Sequence, residues 1–341
     1  MKHWLRLSDC TPETLGRLVQ CARRLKAGEA RDEARVLRDR VLGMVYFNPS
    51  LRTRMSFEVG MRRFGGHAVT LDVGGNVWQL EHRDGAVMDG DAAEHIREAA
   101  PVLSRYCDVL GVRTFARLKD AAEDAADGVL ASFARHATVP VVSLESAYEH
   151  PCQGLADRMT IEEQLGSARG RRFVLTWAPH VKGLPLAVPH SAVLAAASAG
   201  LHVTVAHPAG YELGKDVMAK AQAWCRQAGT QLEVSTQQLE ACRGADIVYV
   251  KSWGSPALYG DAAAQTASFR EHAPWTVTTR HLGAQARLMH CLPVRRNVVI
   301  ADAALDDPRC IVVDQAENRL WGQVAILIEL LKPAGNRTVV A

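Results

Sequence analysis

Strand-like apolar runs alternate with segments of helical periodicity along almost the whole chain. That order predicts parallel sheets with helices on both faces, a class in which ligands sit at the carboxyl ends of strands. The first helix is announced by Thr11-Pro12-Glu13, a capped start, followed by the stripe Leu15, Leu18, Val19, Ala22 and Leu25. A strand over 41–47 leads into a helix from Leu51 to Phe64, Gly65-Gly66 breaks the chain, and 67–73 forms the next strand. Helical patterns near 92–104, 118–136, 151–165, 190–199, 213–228, 236–243 and 315–332 interleave with strands at 108–112, 139–144, 172–177, 202–206, 231–235, 245–250 and 310–314. The fold class is therefore α/β, with two doubly wound parallel-sheet domains joined by helices. The helix from about Pro151 bridges the sheets and puts the boundary near residue 152, giving domains 1–152 and 153–341, with the closing helix packing back on the first.

Composition narrows the function. At 341 residues the chain exceeds one ordinary core, and two domains of roughly 150 residues are the expectation. Lys plus Arg number 40 against 37 Asp plus Glu, so the near-balanced charge of +3 argues against general nucleic-acid binding. No apolar run is long enough for a membrane span, and Met1-Lys2-His3-Trp4-Leu5-Arg6 lacks the apolar core of a secretory signal, which points to the cytoplasm. The eight cysteines include no Cys-x-x-Cys pair, so neither a disulfide framework nor a zinc site is indicated.

Chemistry concentrates at strand ends. Ser50-Leu51-Arg52-Thr53-Arg54 falls where the strand Val41 to Phe47 turns through Asn48-Pro49 into a helix. The unpaired N–H groups and dipole of that helix start favour an anion, and two guanidinium forks with two hydroxyls can hold phosphate oxygens. Arg113 follows the run Val109 to Val112 in the same way. His150-Pro151-Cys152-Gln153 opens a helix after the strand ending at Glu145, and His290-Cys291-Leu292-Pro293 follows a strand around Leu288, before Arg295-Arg296. Proline after an apolar residue there offers free carbonyls and a cis bond.

Taken together, Ser-x-Arg-Thr-Arg, His-Pro-x-Gln and His-Cys-Leu-Pro in this order resemble the signature of the aspartate and ornithine carbamoyltransferases, over nearly the whole chain. The resemblance implies a homotrimer with a carbamoyl-phosphate domain first, an acceptor domain second, and active sites shared between subunits. It assigns Ser50, Leu51, Arg52, Thr53, Trp78, Arg113, His150, Gln153, Leu292 and Arg295 to carbamoyl phosphate, with Arg52, Thr53, Arg113 and His150 catalytic. Thr53, Arg113 and His150 would surround the carbamoyl oxygen, while Gln153 and the Leu292 carbonyl would fix its NH2 group. No metal or organic cofactor is needed, and with no evident general base the attacking amine must arrive neutral.

The acceptor departs from free ornithine. Where the ornithine enzymes carry an aspartate for the α-ammonium, this chain has Lys251 within Gly244-Ala245-Asp246-Ile247-Val248-Tyr249-Val250-Lys251-Ser252-Trp253-Gly254. A cation there repels an ammonium and attracts a carboxylate, so an acceptor acylated on its α-nitrogen fits. Three segments resemble the N-acetylornithine and N-succinylornithine carbamoyltransferases of arginine biosynthesis: 47–50, Val87-Met88-Asp89-Gly90-Asp91, and 176–185. In those relatives the last belongs to a knotted crossing in the second domain, and Trp78 matches a loop residue that reaches into a neighbouring subunit. The acceptor set carried over is Glu145, His180, Lys182, Lys251, Cys291, Leu292 and Ala93. A succinyl tail wants a cation such as Lys182 and no acid beside it; Ala93 stands where a bulkier acid would oppose it, so succinyl is preferred to acetyl. Putrescine brings no carboxylate for Lys251. A nucleotide-binding oxidoreductase or a phosphate-binding protein lacks support, because no Gly-x-Gly-x-x-Gly follows any strand.

Overall fold

A computed structural model describes residues 1–332, so residues 333–341 of the predicted second domain lie outside the described residues. In chain order the first part runs α1 (Pro12–Lys26), β1 (Val41–Tyr46), α2 (Arg52–Arg63), β2 (His67–Asp72), β3 (Gln79–Glu81), β4 (Ala92–His95), α3 (Ile96–Tyr106), β5 (Val109–Arg113), α4 (Ala121–Ala126), α5 (Gly128–His136) and β6 (Val141–Glu145). The second part runs α6 (Pro151–Leu165), β7 (Arg172–Trp177), α7 (Ala187–Ser198), β8 (His202–Ala206), α8 (Lys215–Ala228), β9 (Leu232–Ser235), α9 (Gln238–Cys242), β10 (Ile247–Lys251), α10 (Ala262–Glu271), β11 (Arg287–Met289), α11 (Asp302–Leu305) and α12 (Val312–Leu331).

Two large parallel sheets result, with strand orders β2-β1-β5-β6 and β11-β10-β7-β8-β9, beside a two-stranded parallel ribbon β3-β4. Each large sheet reverses its winding direction once, between β1 and β5 and between β7 and β10. Such reversals open a crevice at the carboxyl ends of the flanking strands, because the two outgoing connections leave on opposite faces. Register makes those ends level: Tyr46 lies beside Arg113, and Lys251 beside Trp177. Val41 to Tyr46 and Val109 to Arg113 are nearly continuous buried runs, as strands covered on both faces must be.

The bridge between the sheets is α6, buried from Pro151 to Ile161 and lacking a polar face. Gly154 permits this: a Cβ there would stand 2.2 Å from Leu7 Cδ1 and 3.0 Å from the Ser191 carbonyl oxygen. One apolar core runs from α1 and the first sheet through α6 into the second sheet. The closing helix α12 packs on α1, α2 and α6.

Some expected elements change. Residues 310–314 form no strand; α12 begins at Val312, and Cys310 contributes only an isolated bridge to Leu288. The β-branched run there gains more by burying one face of a twenty-residue helix than by extending the sheet. The helix expected over 118–136 is split at Asp127, whose left-handed φ of 50° ends α4. The one expected over 92–104 starts with β4, paired to β3, and becomes helical only at Ile96.

Candidate functional site

The turn after β1 is fixed before any side chain reaches the crevice. Asn48 Oδ1 accepts the Phe115 N–H at 2.7 Å, tying the ends of β1 and β5 together, and Ser50 Oγ accepts the Thr53 N–H at 3.2 Å. Leu51, at the N-cap, is 75% exposed. Arg54 does not join its neighbour Arg52: its guanidinium reaches Glu58 and Asp72 on the surface, so only one arginine of that pair faces the crevice.

Around Thr53, which is buried, three guanidiniums converge. Arg113 Nη1 lies 3.5 Å from Thr53 Oγ1, and Arg319 donates to the same oxygen through Nη2. Arg52 is charge-coupled to Arg113 and Arg319. Burial pushes the pKa of Arg52 and of Arg319 down from the usual range, yet guanidinium remains charged in proteins. The carboxylate in direct contact is that of Glu145 at the end of β6, which accepts from Arg113 at 2.6 Å. Positive charge is therefore in excess in a buried place, which is costly unless an anion offsets it.

Several donors and acceptors of this group have no hydrogen-bond partner among the described residues: the Nε atoms of Arg52, Arg113 and Arg319, Nδ1 of His150 and Oε1 of Gln153. Buried polar groups are rarely left so, and five at one crevice mark a place built for a polar guest. His150 is held by its backbone N–H, donated to Ser191 Oγ at 2.8 Å. Its imidazole pKa sits well below the usual range, first through burial and then through Arg319, Arg113, Arg52 and Lys251, so the ring is neutral near pH 7. Gln153 gives its NH2 to Asp157 Oδ1 at 2.8 Å, which leaves its oxygen to accept. Asp157 is in turn bound by Gln315 Nε2 and Tyr249 Oη, while burial raises its pKa to about 6.

The segment after β11 closes the crevice. The Leu292–Pro293 bond is cis, as the sequence suggested, and Leu292 has φ +56°. That left-handed conformation costs roughly 1–3 kcal/mol for a non-glycine residue. It is held by the Leu292 N–H donating to His290 Nδ1 at 2.9 Å, while the His290 N–H donates to Gln315 Oε1 at 2.9 Å.

On the second sheet's side, Lys251 is half-buried at the end of β10 and adds to burial in holding the pKa values of His150, His290 and His180 below the usual range. Cys291 is buried beside Lys251, Glu145 and Arg52. His180 has a pKa lowered to about 4, mainly by burial. Its Nε2 accepts from Arg295 Nε at 3.2 Å, so the neutral ring carries its proton on Nδ1, which donates to the Lys182 carbonyl at 3.0 Å. Arg295 thus joins the acceptor-side group and makes no hydrogen bond to the Ser50–Thr53 turn. Lys182 is exposed. Trp78, 59% exposed, donates to Glu94 Oε2 at 2.9 Å and immediately precedes β3, while exposed Ala93 lies in the partner strand β4. Neither makes a hydrogen bond to Arg52, Arg113 or His150.

Arg319 was missed in the sequence because it lies 266 residues from Thr53. A signal was present. Gln315, Asn318, Arg319 and Gln323 follow i, i+3, i+4, i+8 spacing, and all four lie on the buried, largely apolar face of α12. A polar stripe on a buried face predicts a polar counterpart.

Comparison with known proteins agrees with this geometry. Residues 2–163 match the carbamoyl-P binding domain of aspartate/ornithine carbamoyltransferase, and residues 186–330 match its Asp/Orn binding domain. The N-acetylornithine carbamoyltransferase of Xanthomonas axonopodis pv. citri is 40% identical over 98% of both chains. The N-succinylornithine carbamoyltransferase of Bacteroides thetaiotaomicron is 38% identical over 86% of this chain and 88% of its own. A crystal structure of a glutamate-to-alanine variant of N-acetyl-L-ornithine transcarbamylase, complexed with carbamyl phosphate and N-succinyl-L-norvaline, superposes with a TM-score of 0.93 at 40% identity, covering 97% of this chain and all of that one. The chain belongs to the aspartate/ornithine carbamoyltransferase family, in its N-acylornithine branch, and is a carbamoyltransferase.

Proposed function

We propose that the enzyme moves the carbamoyl group of carbamoyl phosphate to the δ-amine of an N-α-acylated L-ornithine, with N-succinyl-L-ornithine preferred, as a step of arginine biosynthesis. The observation that carries the reading is the set of unpartnered guanidinium Nε atoms around Thr53, with positive charge in excess. Residues 1–152 bind carbamoyl phosphate and residues 153–341 the acceptor. Ser50, Leu51, Arg52 and Thr53 hold the phosphate, with Arg113 and Arg319 completing its charge. Thr53, Arg113 and neutral His150 stabilise the carbamoyl oxygen as negative charge grows on it. Donors aimed in advance at that charge supply about 2.7–4 kcal/mol apiece. The Gln153 oxygen and the Leu292 carbonyl accept from the carbamoyl NH2.

The amine nitrogen forms a bond to the carbamoyl carbon as the carbon–oxygen bond to phosphate breaks. The departing phosphate takes the amine's proton, and the surrounding cations favour the neutral amine beforehand by disfavouring its charged form. On the acceptor side Lys251 meets the α-carboxylate, Lys182 meets a second carboxylate, and Ala93 leaves room for it from the partner subunit of a homotrimer whose sites are shared. The exposed apolar side chains of Leu51, Met55, Trp78 and Val87 support that assembly. A second reading, N-acetyl-L-ornithine as acceptor, is favoured by the N-acetyl relative at 40% identity. Carbamoyl transfer to ornithine, N-acetylornithine, N-succinylornithine and putrescine, measured side by side, tests the proposal: the succinylated acceptor is expected to give the highest kcat/KM, and activity confined to free ornithine would overturn it.

A further inference from the structure

A second cationic recess lies outside the crevice. It occupies about 810 Å³ between the carboxyl ends of α1 and α2, the short 3-10 helix Glu33–Leu37 and the middle of α12. Its volume is that of a small-ligand site, which typically spans roughly 300–1,000 Å³. Lys26, Arg31, Arg35, Arg38 and Arg63 line it, and no lining residue is acidic. In a chain whose total charge is only +3, five lining cations, three of them (Arg31, Arg38 and Arg63) without an ion pair among the described residues, are a local concentration.

Helix ends explain part of it. Lys26 and Arg63 stand in the last turns of α1 and α2, where cations complement the dipole. Lys26 is also engaged with Asn318, Glu163 and Glu317. Arg31, Arg35 and Arg38 belong to neither helix, and among the described residues Arg35 pairs only with exposed Asp32. Among the described residues Arg31, Arg38 and Arg63 form no ion pair, and Arg63 instead lies 5.0 Å over the Trp321 ring.

We infer that this recess binds a polyphosphate, carried either as inorganic triphosphate or on a nucleotide. Several guanidinium forks facing one space suit an anion with several phosphoryl groups, because each fork can bind two oxygens. The recess and the crevice share two helices. Arg63 and Arg52 lie at opposite ends of α2, and Trp321 follows Arg319 by two residues on α12.

Titration calorimetry of the full chain with inorganic triphosphate and, separately, with ATP tests the inference, using the parent, Arg52→Ala, and the combined variant Arg31→Gln, Arg38→Gln, Arg63→Gln. Triphosphate binding is expected to survive Arg52→Ala and to weaken at least tenfold in the combined variant, whose basal carbamoyl transfer stays at the parental level. ATP and triphosphate binding equally upholds the site with phosphate as the sole determinant, and tighter ATP binding upholds it with the base contributing. Absence of triphosphate binding, or binding lost in Arg52→Ala and kept in the combined variant, overturns it. The Arg52→Ala arm separates this outcome from a failure of the catalytic reading.

Discussion

The crevice has two unlike walls. At the end of the first sheet, Arg113 and Arg319 are buried, and they converge with Arg52 on Thr53 around unpartnered donors. At the end of the second, Lys182 and Arg295 are exposed and Lys251 is half-buried; Arg295 donates to His180, and among the described residues the Lys182 and Lys251 ammonium groups make no hydrogen bond. The first wall fixes geometry, since planar forks locked by packing lose little freedom when an anion arrives. The second supplies charge on flexible stems. Under the proposed function, the reactant that must be aligned for bond breaking binds the first wall and the acceptor binds the second.

Substitutions on the two walls should therefore differ in size and kind. The largest effect is expected on the first wall. Removing one partner of a buried, hydrogen-bonded charge contact costs on the order of 2–5 kcal/mol. Arg52→Ala and Arg319→Met should each lower kcat/KM by about thirtyfold or more with the circular dichroism spectrum unchanged, as steady-state assays would show. Near-parental kinetics for Arg319→Met would break the contrast.

On the second wall, Lys251→Met should raise KM for the acylated ornithine by about tenfold and leave kcat comparatively unaffected, since a charged hydrogen bond contributes roughly 1.5–3 kcal/mol. Substrate saturation curves at fixed carbamoyl phosphate measure this. A fall in kcat alone would assign Lys251 to the chemistry. Ala93→Glu should have a smaller, selective effect, lowering the succinyl-to-acetyl ratio of kcat/KM several-fold, because a new acid opposes the succinyl carboxylate and leaves an acetyl group nearly untouched. An unchanged ratio would remove Ala93 from the acceptor site.

The smallest effect concerns the frame behind both walls. Glu149 accepts the Leu7 N–H at 2.7 Å and the Ser8 hydroxyl, and burial raises its pKa to about 7 from an ordinary 4.5. Between these values the folded chain keeps a proton that the unfolded chain has lost, so stability declines as pH rises from 4.5 to 7. Glu149→Gln should flatten that part of the Tm-against-pH curve while changing kcat little. A parallel slope in parent and variant would show that another group sets it.

Legibility in the sequence followed the same division. The strand–turn–helix over 41–64 was readable because its elements are local: an apolar run, Asn48-Pro49, then Arg52 and Thr53 in one turn. Arg113, His150 and Lys251 were readable for the same reason, each standing at or just beyond a strand's end. Arg319 was not, because its role arises from tertiary packing of α12 against α2 and α6. Nor was the commitment of Arg54 to Glu58 and Asp72, since composition cannot say which of two neighbouring arginines turns outward. The strand expected at 310–314 failed through context: Ile311, Val312 and Val313 favour strand locally, but the buried length of α12 decides. Exposed Trp78 and Ala93 illustrate the remaining gap, because the role assigned to them needs a second chain.

The central claim is that the buried guanidinium wall binds the phosphoryl reactant independently of the lysine wall. Phosphonoacetamide, a stable analogue of carbamoyl phosphate, titrated calorimetrically into the parent, Arg319→Met and Lys251→Met, tests it directly. Affinity should fall by about thirtyfold or more in Arg319→Met, the low end of the 2–5 kcal/mol range above, and stay within about twofold of parental in Lys251→Met. Parental affinity in Arg319→Met, or an equal loss in Lys251→Met, would contradict the account.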